Sequence, residues 1–176
     1  MPDTISALGL LHAGLLTTSV ALLLGATLND VAVRTIPDLV SLGILAIGIV
    51  FRLIDGTLLP GLAAAAAIFV LGAVCWRRGW LGGGDTKLLT ACALLVGPAQ
   101  VPHLVLATAL AGGALACAYL AIGQITTSWS IPAHAGRSSN LAIRMLHVEW
   151  WRARRHAALP YGCAIAAAVM FTLFVN

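Results

Sequence analysis

Runs of apolar residues long enough to cross a membrane fill most of this sequence. Hydrophobic residues make up 60% of the 176 residues and charged residues only 9%. A soluble domain of this length lacks the interior to bury so much apolar surface. A helix needs about 20 apolar residues to cross a bilayer, and five runs approach or exceed that length: Ile5–Leu28, Ile36–Ile54, Leu58–Trp76, Val101–Gly123 and Ala157–Val175. The pattern predicts an all-α integral membrane protein, with residues 1–176 forming a single polytopic domain.

A sixth and shorter apolar run, Leu88–Gly97, decides the predicted topology. If it crosses, nine of the ten basic residues fall on one side, and only Arg52 falls on the other. If it is re-entrant, the five arginines that follow it change sides. Because cytoplasmic loops are enriched in Lys and Arg, we predict six transmembrane helices with a short fourth helix. Both termini then lie outside the cytoplasm.

The net charge of +4 is explained by this topology, so no nucleic-acid partner is expected. A basic cytoplasmic face suits the anionic headgroups of a lipid bilayer. The basic loop 124–156 includes Ser139–Arg155, which carries Trp150 and Trp151 and could lie along the interface as an amphipathic helix. The four cysteines form no CxxC pair, and no metal site or other cofactor is expected.

The few acidic residues are the first candidates for chemistry, because a carboxylate at or inside a membrane is costly. Asp30 and Asp85 follow the first and third predicted helices, so they emerge on the same side of the membrane. Asp55 follows the second helix and emerges on the opposite side. Two carboxylates held close together share a proton, so that one acts as base and the other as acid. Such a pair can activate water for attack on a peptide carbonyl.

Asp85 lies in the segment Gly82-Gly83-Gly84-Asp85-Thr86-Lys87. Glycines let another backbone approach closely, so an extended substrate could reach the carboxylate. The alternative is that Asp85 only caps a helix, with the glycines forming a turn. Lys87 lies on a different helix face from Asp85, and its direct involvement is left open.

Asp38 follows Pro37, and the two residues together open the second predicted helix. A proline at the start of a helix followed by an acidic residue is typical of helix N-terminal chemistry. We therefore interpret Asp38 as structural, and keep it as the next candidate if either Asp30 or Asp85 is not catalytic.

These motifs resemble those of the type IV prepilin peptidases, which are membrane aspartic proteases with a GxGD motif. The resemblance runs in order from about Thr18 to Ala168, through Gly82–Lys87, the Ile36-Pro37-Asp38 segment and the late segment Leu159-Pro160-Tyr161-Gly162. It implies that Asp30 and Asp85 are the catalytic pair. Gly82, Gly83, Gly84, Lys87, Pro37 and Asp38 would be residues that support the motif.

The resemblance also implies the substrate, a prepilin with a hydrophobic N-terminal helix whose short basic leader is removed at the cytoplasmic face. The expected location is the cytoplasmic (inner) membrane of a prokaryote, and the pilus assembly machinery is a candidate partner. The short chain is similar to peptidases of Flp-type, or tight-adherence, pili. It has no insertion between helices 1 and 2 like that of the bifunctional members, so no N-methylation is expected.

Two alternatives stay open at this point. An archaeal preflagellin peptidase is similar in size and has similar chemistry. A proton- or ion-coupled transporter could use Asp30 and Asp85 as a relay, although such folds usually contain internal repeats, and none is visible here. The presenilin type of GxGD protease places its aspartates on adjacent late helices, which does not fit an aspartate after helix 1.

Overall fold

The computed structural model describes residues 2–125 and 159–174, with side chains described for 9–121 and 159–174. These residues form six α-helices, a short 3-10 turn at Pro98–Gln100 and no strands, which confirms the all-α prediction. The helices are α1 Pro2–Val33, α2 Asp38–Ile54, α3 Leu58–Arg77, α4 Gly83–Val96, α5 Val101–Ile125 and α6 Tyr161–Phe174. The predicted interfacial helix at Ser139–Arg155 lies outside the described residues.

Three stretches of the described residues are long and apolar enough to cross a membrane: Gly9–Val33, Leu58–Arg77 and Pro98–Ala121. Helix α6 is apolar but shorter, and α2 and α4 have 17 and 14 residues. The membrane character of the chain is therefore supported by length and composition. Six crossings and the side on which the termini lie stay predictions.

A short connection joins α1 to α2, so α2 begins at the end of the bundle where α1 ends. Helix α1 continues past the predicted Leu28 to Val33, because no helix-breaking residue occurs before Pro37. Arg34 then adopts a left-handed conformation with φ of 60°, and its N–H donates to the carbonyl of Asp30 at 2.9 Å. This is the hydrogen bond of a left-handed C-cap. Asp30 therefore lies in the last turn of α1 rather than after it.

Helix α4 is short, as predicted, and it lies in the centre of the bundle. Its 14 residues span about 21 Å at 1.5 Å per residue, against a hydrocarbon core of about 30 Å. Leu88, Cys92 and Leu94 are fully buried. A Cβ on Gly48 of α2 would lie 3.0 Å from the backbone nitrogen of Leu95, so this glycine lets α2 and α4 pack closely.

Helices α2 and α4 run in the same direction, away from the end that holds Asp30. At the far end of the bundle, Arg52 of α2 donates from Nη2 to the carbonyl of Leu95 at 3.4 Å. Asp55 also lies at this end, with its Oδ2 3.1 Å from Nη2 of Arg52. Five helix termini meet at the end of the bundle that holds Asp30. They are the ends of α1 and α3 and the beginnings of α2, α4 and α6.

Helix α6 begins later than its apolar run predicts. The run begins at Ala157, whereas the helix begins at Tyr161, directly after Pro160. Leu159 and Pro160 are non-helical, because a proline disfavours helical geometry at the residue before it. Ala157 and Ala158 lie outside the described residues. The late start puts Gly162 in the first turn of α6, next to α1.

Candidate active site

Asp30 is a buried carboxylate held between two helices. Its side chain is only 6% exposed, and its Oδ2 accepts a hydrogen bond from the N–H of Gly162 at 2.9 Å. The first N–H groups of a helix have no partner within that helix, so the start of α6 provides a donor for a carboxylate. A Cβ on residue 162 would lie 2.8 Å from Oδ2 of Asp30. This contact therefore requires glycine.

Asp85 is the third residue of α4 and turns back over the start of its own helix. The backbone of Gly82, the N-cap residue, forms a hydrogen bond with the Asp85 carboxylate, as in a capping box. A Cβ on Gly82 would lie 2.6 Å from Oδ2 of Asp85, so glycine makes room for this geometry. The cap interpretation and the functional interpretation are thus compatible, because the same side chain caps α4 and faces a cleft.

The two aspartates line one polar cleft, which we call the aspartate cleft. It has a volume of about 260 Å³ and is formed by the last turn of α1, the α1–α2 connection and the starts of α2 and α4. Its lining residues are Asp30, Arg34, Thr35, Ile36, Asp38, Gly82, Gly83, Gly84 and Asp85. All the candidate site residues except Pro37 and Lys87 line this cleft.

Asp85 lies in the first turn of α4, before the apolar part of the helix, and its surroundings there favour the protonated form. Burial, and after it the nearby charge of Asp30, raises the pKa of Asp85 from 3.8 to about 6, although the hydrogen bond from the Gly82 backbone acts in the opposite direction. The described residues contain no group of three or more potential metal ligands. What the cleft presents to a ligand is a pair of carboxylates that interact electrostatically.

This raised pKa predicts a pH-dependent effect of Asp85→Asn on stability. The folded state binds a proton on Asp85 up to about pH 6, whereas the unfolded chain releases it near 3.8, so ionisation of Asp85 destabilises the fold as pH rises through this window. The variant removes that penalty and keeps an oxygen acceptor for Gly82. We expect its Tm at pH 7.5 to exceed that of wild type by about 2–4 °C, with the difference shrinking towards pH 4.

Thermal unfolding in detergent between pH 4 and 8 measures this effect. Asp55→Asn, at the opposite end of the bundle, is the control for the loss of a carboxylate away from the cleft. If the Tm difference between Asp85→Asn and wild type does not change with pH, the inference that ionisation of Asp85 destabilises the fold is wrong.

Lys87 and Asp38 form an ion pair at the edge of the cleft. Nζ of Lys87 lies 2.8 Å from Oδ1 of Asp38, and both side chains are more than half exposed. Lys87 does not line the aspartate cleft, in agreement with the expected different helix face. Between Asp85 and Lys87, the hydroxyl of the buried Thr86 lies within hydrogen-bond distance of two carbonyls, that of Gly82 at 3.1 Å and that of Gly72 in α3 at 3.3 Å. The contact with Gly72 connects the start of α4 to α3.

Two residues that shape the site, Arg34 and Gly162, have no predicted role in it. In the predicted topology Arg34 is only one of the nine basic residues on one side of the membrane. In the structure it lines the cleft, and its Nη2 lies 3.4 Å from the hydroxyl of Tyr119 in α5. Gly162 was part of a motif without an assigned contact. The closeness of Arg34 to the candidate Asp30 in the sequence could have indicated its place in the site. The contact of Gly162 with Asp30 joins parts of the chain that are 132 residues apart, so no local pattern indicates it.

A comparison with models of protein families identifies the family of this chain. Residues 17–117 match the model of the type IV leader peptidase family, which is more than half of the chain. The chain belongs to the type IV leader peptidase family. The predicted resemblance to prepilin peptidases is confirmed at this level, and a peptidase that resides in a membrane follows from it. Searches of the curated proteins and of the solved structures gave no significant match.

The part of this leader peptidase that matches the family includes both Asp30 and Asp85, with the connections that bring them together. It ends in α5, before Gly162. The contact between α6 and Asp30 is therefore an observation of this structure that the family match does not contain.

Proposed function

We propose that this protein is an aspartic endopeptidase that removes the basic leader from type IV prepilins, with Asp30 and Asp85 as the catalytic pair. The observation that carries the proposal is the presence of both carboxylates in one cleft, at the glycine-rich start of α4. Each is positioned by a backbone N–H, from Gly162 for Asp30 and from Gly82 for Asp85. For one carboxylate to act as acid and the other as base, the two must lie in different environments within one site.

In the proposed mechanism, a water molecule binds between the two carboxylates. Ionised Asp30 accepts a proton from this water as the oxygen attacks the carbonyl carbon of the scissile peptide bond. Asp85, which retains a proton more readily because of its raised pKa of about 6, donates it to the carbonyl oxygen. The tetrahedral intermediate then loses its amine, which takes the proton held by Asp30, while one hydroxyl group of the intermediate returns a proton to Asp85 as the carbonyl forms again. The pair acts as one titrating unit through the cycle.

The charge of the cleft suits a cationic leader. Asp30, Asp38 and Asp85 line the cleft together with Arg34, and Lys87 pairs with Asp38, so Asp30 and Asp85 are the carboxylates that a basic leader would meet. Complementary charge increases the encounter rate and favours the correct orientation of a peptide more than it raises affinity. A leader rich in Lys or Arg would enter this cleft with the scissile bond towards the aspartates.

We further propose an Flp-like prepilin as the substrate and no N-methyltransferase activity. Helices α1 and α2 are joined by only four residues, from Arg34 to Pro37, which leaves no room there for a catalytic insertion. The positive-inside rule favours the cytoplasmic side for the aspartate cleft, in the inner membrane of a prokaryote. The pilus assembly machinery, which receives the mature pilin, is the proposed partner downstream.

The direct test is cleavage of prepilin precursors by the purified, full-length protein in detergent or liposomes. Mass spectrometry of the products should show one cut, immediately before the hydrophobic helix, and an unmethylated new N-terminus even when S-adenosylmethionine is present. A chelator should leave the rate unchanged. Comparing Flp-type prepilins with archaeal preflagellins tests the narrower assignment of the substrate.

If the folded protein cleaves none of these precursors, the proposed substrate is wrong. Proton flux measured in the same liposomes then tests the alternative of a relay through Asp30 and Asp85. Flux that is lost in both Asp→Asn variants would support a transporter in place of the peptidase mechanism.

A further inference from the structure

A second cavity lies directly beside the aspartate cleft and has a different character. It has a volume of about 320 Å³ and is open to the outside of the bundle. Its lining residues are Asp38, Ser41, Leu42, Leu45, Phe69, Lys87, Thr90 and Ala91, and we call it the apolar groove. Asp38 lines both cavities, so the groove and the cleft adjoin at this residue.

The groove extends away from the cleft along two parallel helices. On α2 its lining residues begin at Asp38 and reach Leu45, and on α4 they begin at Lys87 and reach Ala91. Residues at these three- and four-residue spacings share one helix face. The distance from Asp38 to Leu45 is about two helical turns, or roughly 10 Å.

Side-chain size gives the groove its shape. Ser41 and Ala91 are small and buried, and they form the floor. Leu42 and Phe69 are larger and exposed, and they form the walls. Away from the end marked by Asp38 and Lys87, the lining side chains are apolar or carry a hydroxyl group.

We infer that the apolar groove binds the hydrophobic helix of the substrate, over the first two turns after the scissile bond. This inference rests on the proposed function, because a leader held in the cleft leaves the residues that follow the cut at its edge. The groove is an apolar surface that adjoins that edge at Asp38, and an apolar helix laid in a groove between helices is a common mode of peptide recognition. Asp38 and Lys87 neutralise each other at the junction, so no net charge opposes an apolar segment there.

Photo-crosslinking at a matched pair of phenylalanine positions tests which molecule occupies the apolar groove. Phe69 lines the groove and is 49% exposed, whereas Phe171 on α6 is 60% exposed and does not line it. Each is replaced in turn by p-benzoylphenylalanine in the full-length protein, in membranes that contain an uncleaved precursor. We expect crosslinks from position 69 to the hydrophobic helix of the precursor, and few or none from position 171. Crosslinks from position 69 only to lipid, or only to a second copy of this chain, would overturn the inference.

Cleavage kinetics provide the second test, with two precursors. One is full length, and the other ends a few residues after the scissile bond and lacks the hydrophobic helix. We expect Phe69→Ala to raise KM for the full-length precursor by roughly fivefold, the effect of losing one significant interface contact, with little change in kcat. KM for the short precursor should not change, and Phe171→Ala should affect neither precursor.

The two precursors separate the inference from the function on which it rests. If wild type cleaves neither precursor, the proposed function itself fails. If wild type cleaves both precursors and Phe69→Ala changes KM equally for both, or no more than Phe171→Ala does, the peptidase stands and the groove is not the binding site of the helix.

Discussion

Asp30→Asn and Asp85→Asn will each reduce leader cleavage by roughly 100- to 10,000-fold, the range that a general acid or base contributes. Each change keeps the size of the side chain and an oxygen that can accept the N–H bond from Gly162 or Gly82. Only the ability to take up or release a proton is lost. The measurement is the initial rate on a purified precursor, with expression and thermal unfolding recorded for each variant.

The other acidic side chains of the described bundle serve as graded controls. Asp55 lies at the opposite end and is paired with Arg52, so Asp55→Asn should keep at least half of the wild-type rate. Asp38 lines the cleft and pairs with Lys87 through exposed side chains. Exposed ion pairs contribute only about 0.2–1 kcal/mol, so Asp38→Asn should lower the rate by less than about tenfold.

Two outcomes would contradict the assignment of the catalytic pair. If a folded Asp30→Asn or Asp85→Asn variant keeps more than a tenth of the wild-type rate, that aspartate is not part of the pair. If Asp38→Asn is inactive and Asp30→Asn is not, Asp38 takes the place of Asp30 in the mechanism.

Much of the architecture could be predicted because membrane helices are specified by long local patterns. The apolar runs located all six described helices, and the short run before Pro98 gave the short α4. Counting the crossings predicts that Asp30 and Asp85 lie on the same side of the membrane and that Asp55 lies on the opposite side. These inferences need only hydrophobicity, length and charge, which are properties of contiguous sequence.

The boundaries and the contacts between distant helices could not be predicted in the same way. Helix α1 extends to Val33 because a polar residue such as Asp30 does not by itself end a helix. The left-handed conformation of Arg34 is rare for a residue other than glycine, so its sequence gives no hint of it. The contact of Gly162 with Asp30 and the groove beside the cleft depend on packing between distant segments, which local patterns do not encode.

Gly162→Ala is the second change for which we expect a large effect, because it acts on the position of Asp30 without removing a carboxylate. The added Cβ would lie 2.8 Å from Oδ2, 3.1 Å from Cγ and 3.2 Å from Cβ of Asp30. Contacts of this kind force the Asp30 side chain or the start of α6 to shift. A displacement of about 1 Å in a catalytic group can reduce the rate by about 100-fold, so we expect a fall of that order in kcat, with a smaller change in KM.

Gly113→Ala in α5 is the matched control, since a Cβ there would meet nothing within 4 Å. Alanine favours a helix over glycine by about 1 kcal/mol, so both variants should retain their helix content by circular dichroism, and Gly113→Ala should cleave at the wild-type rate. A purely structural role for Gly162 would lower Tm and leave kcat unchanged below the transition. If folded Gly162→Ala keeps more than half of the wild-type kcat, the N–H of Gly162 does not set the catalytic position of Asp30, and the site then depends on α1 and α4 alone.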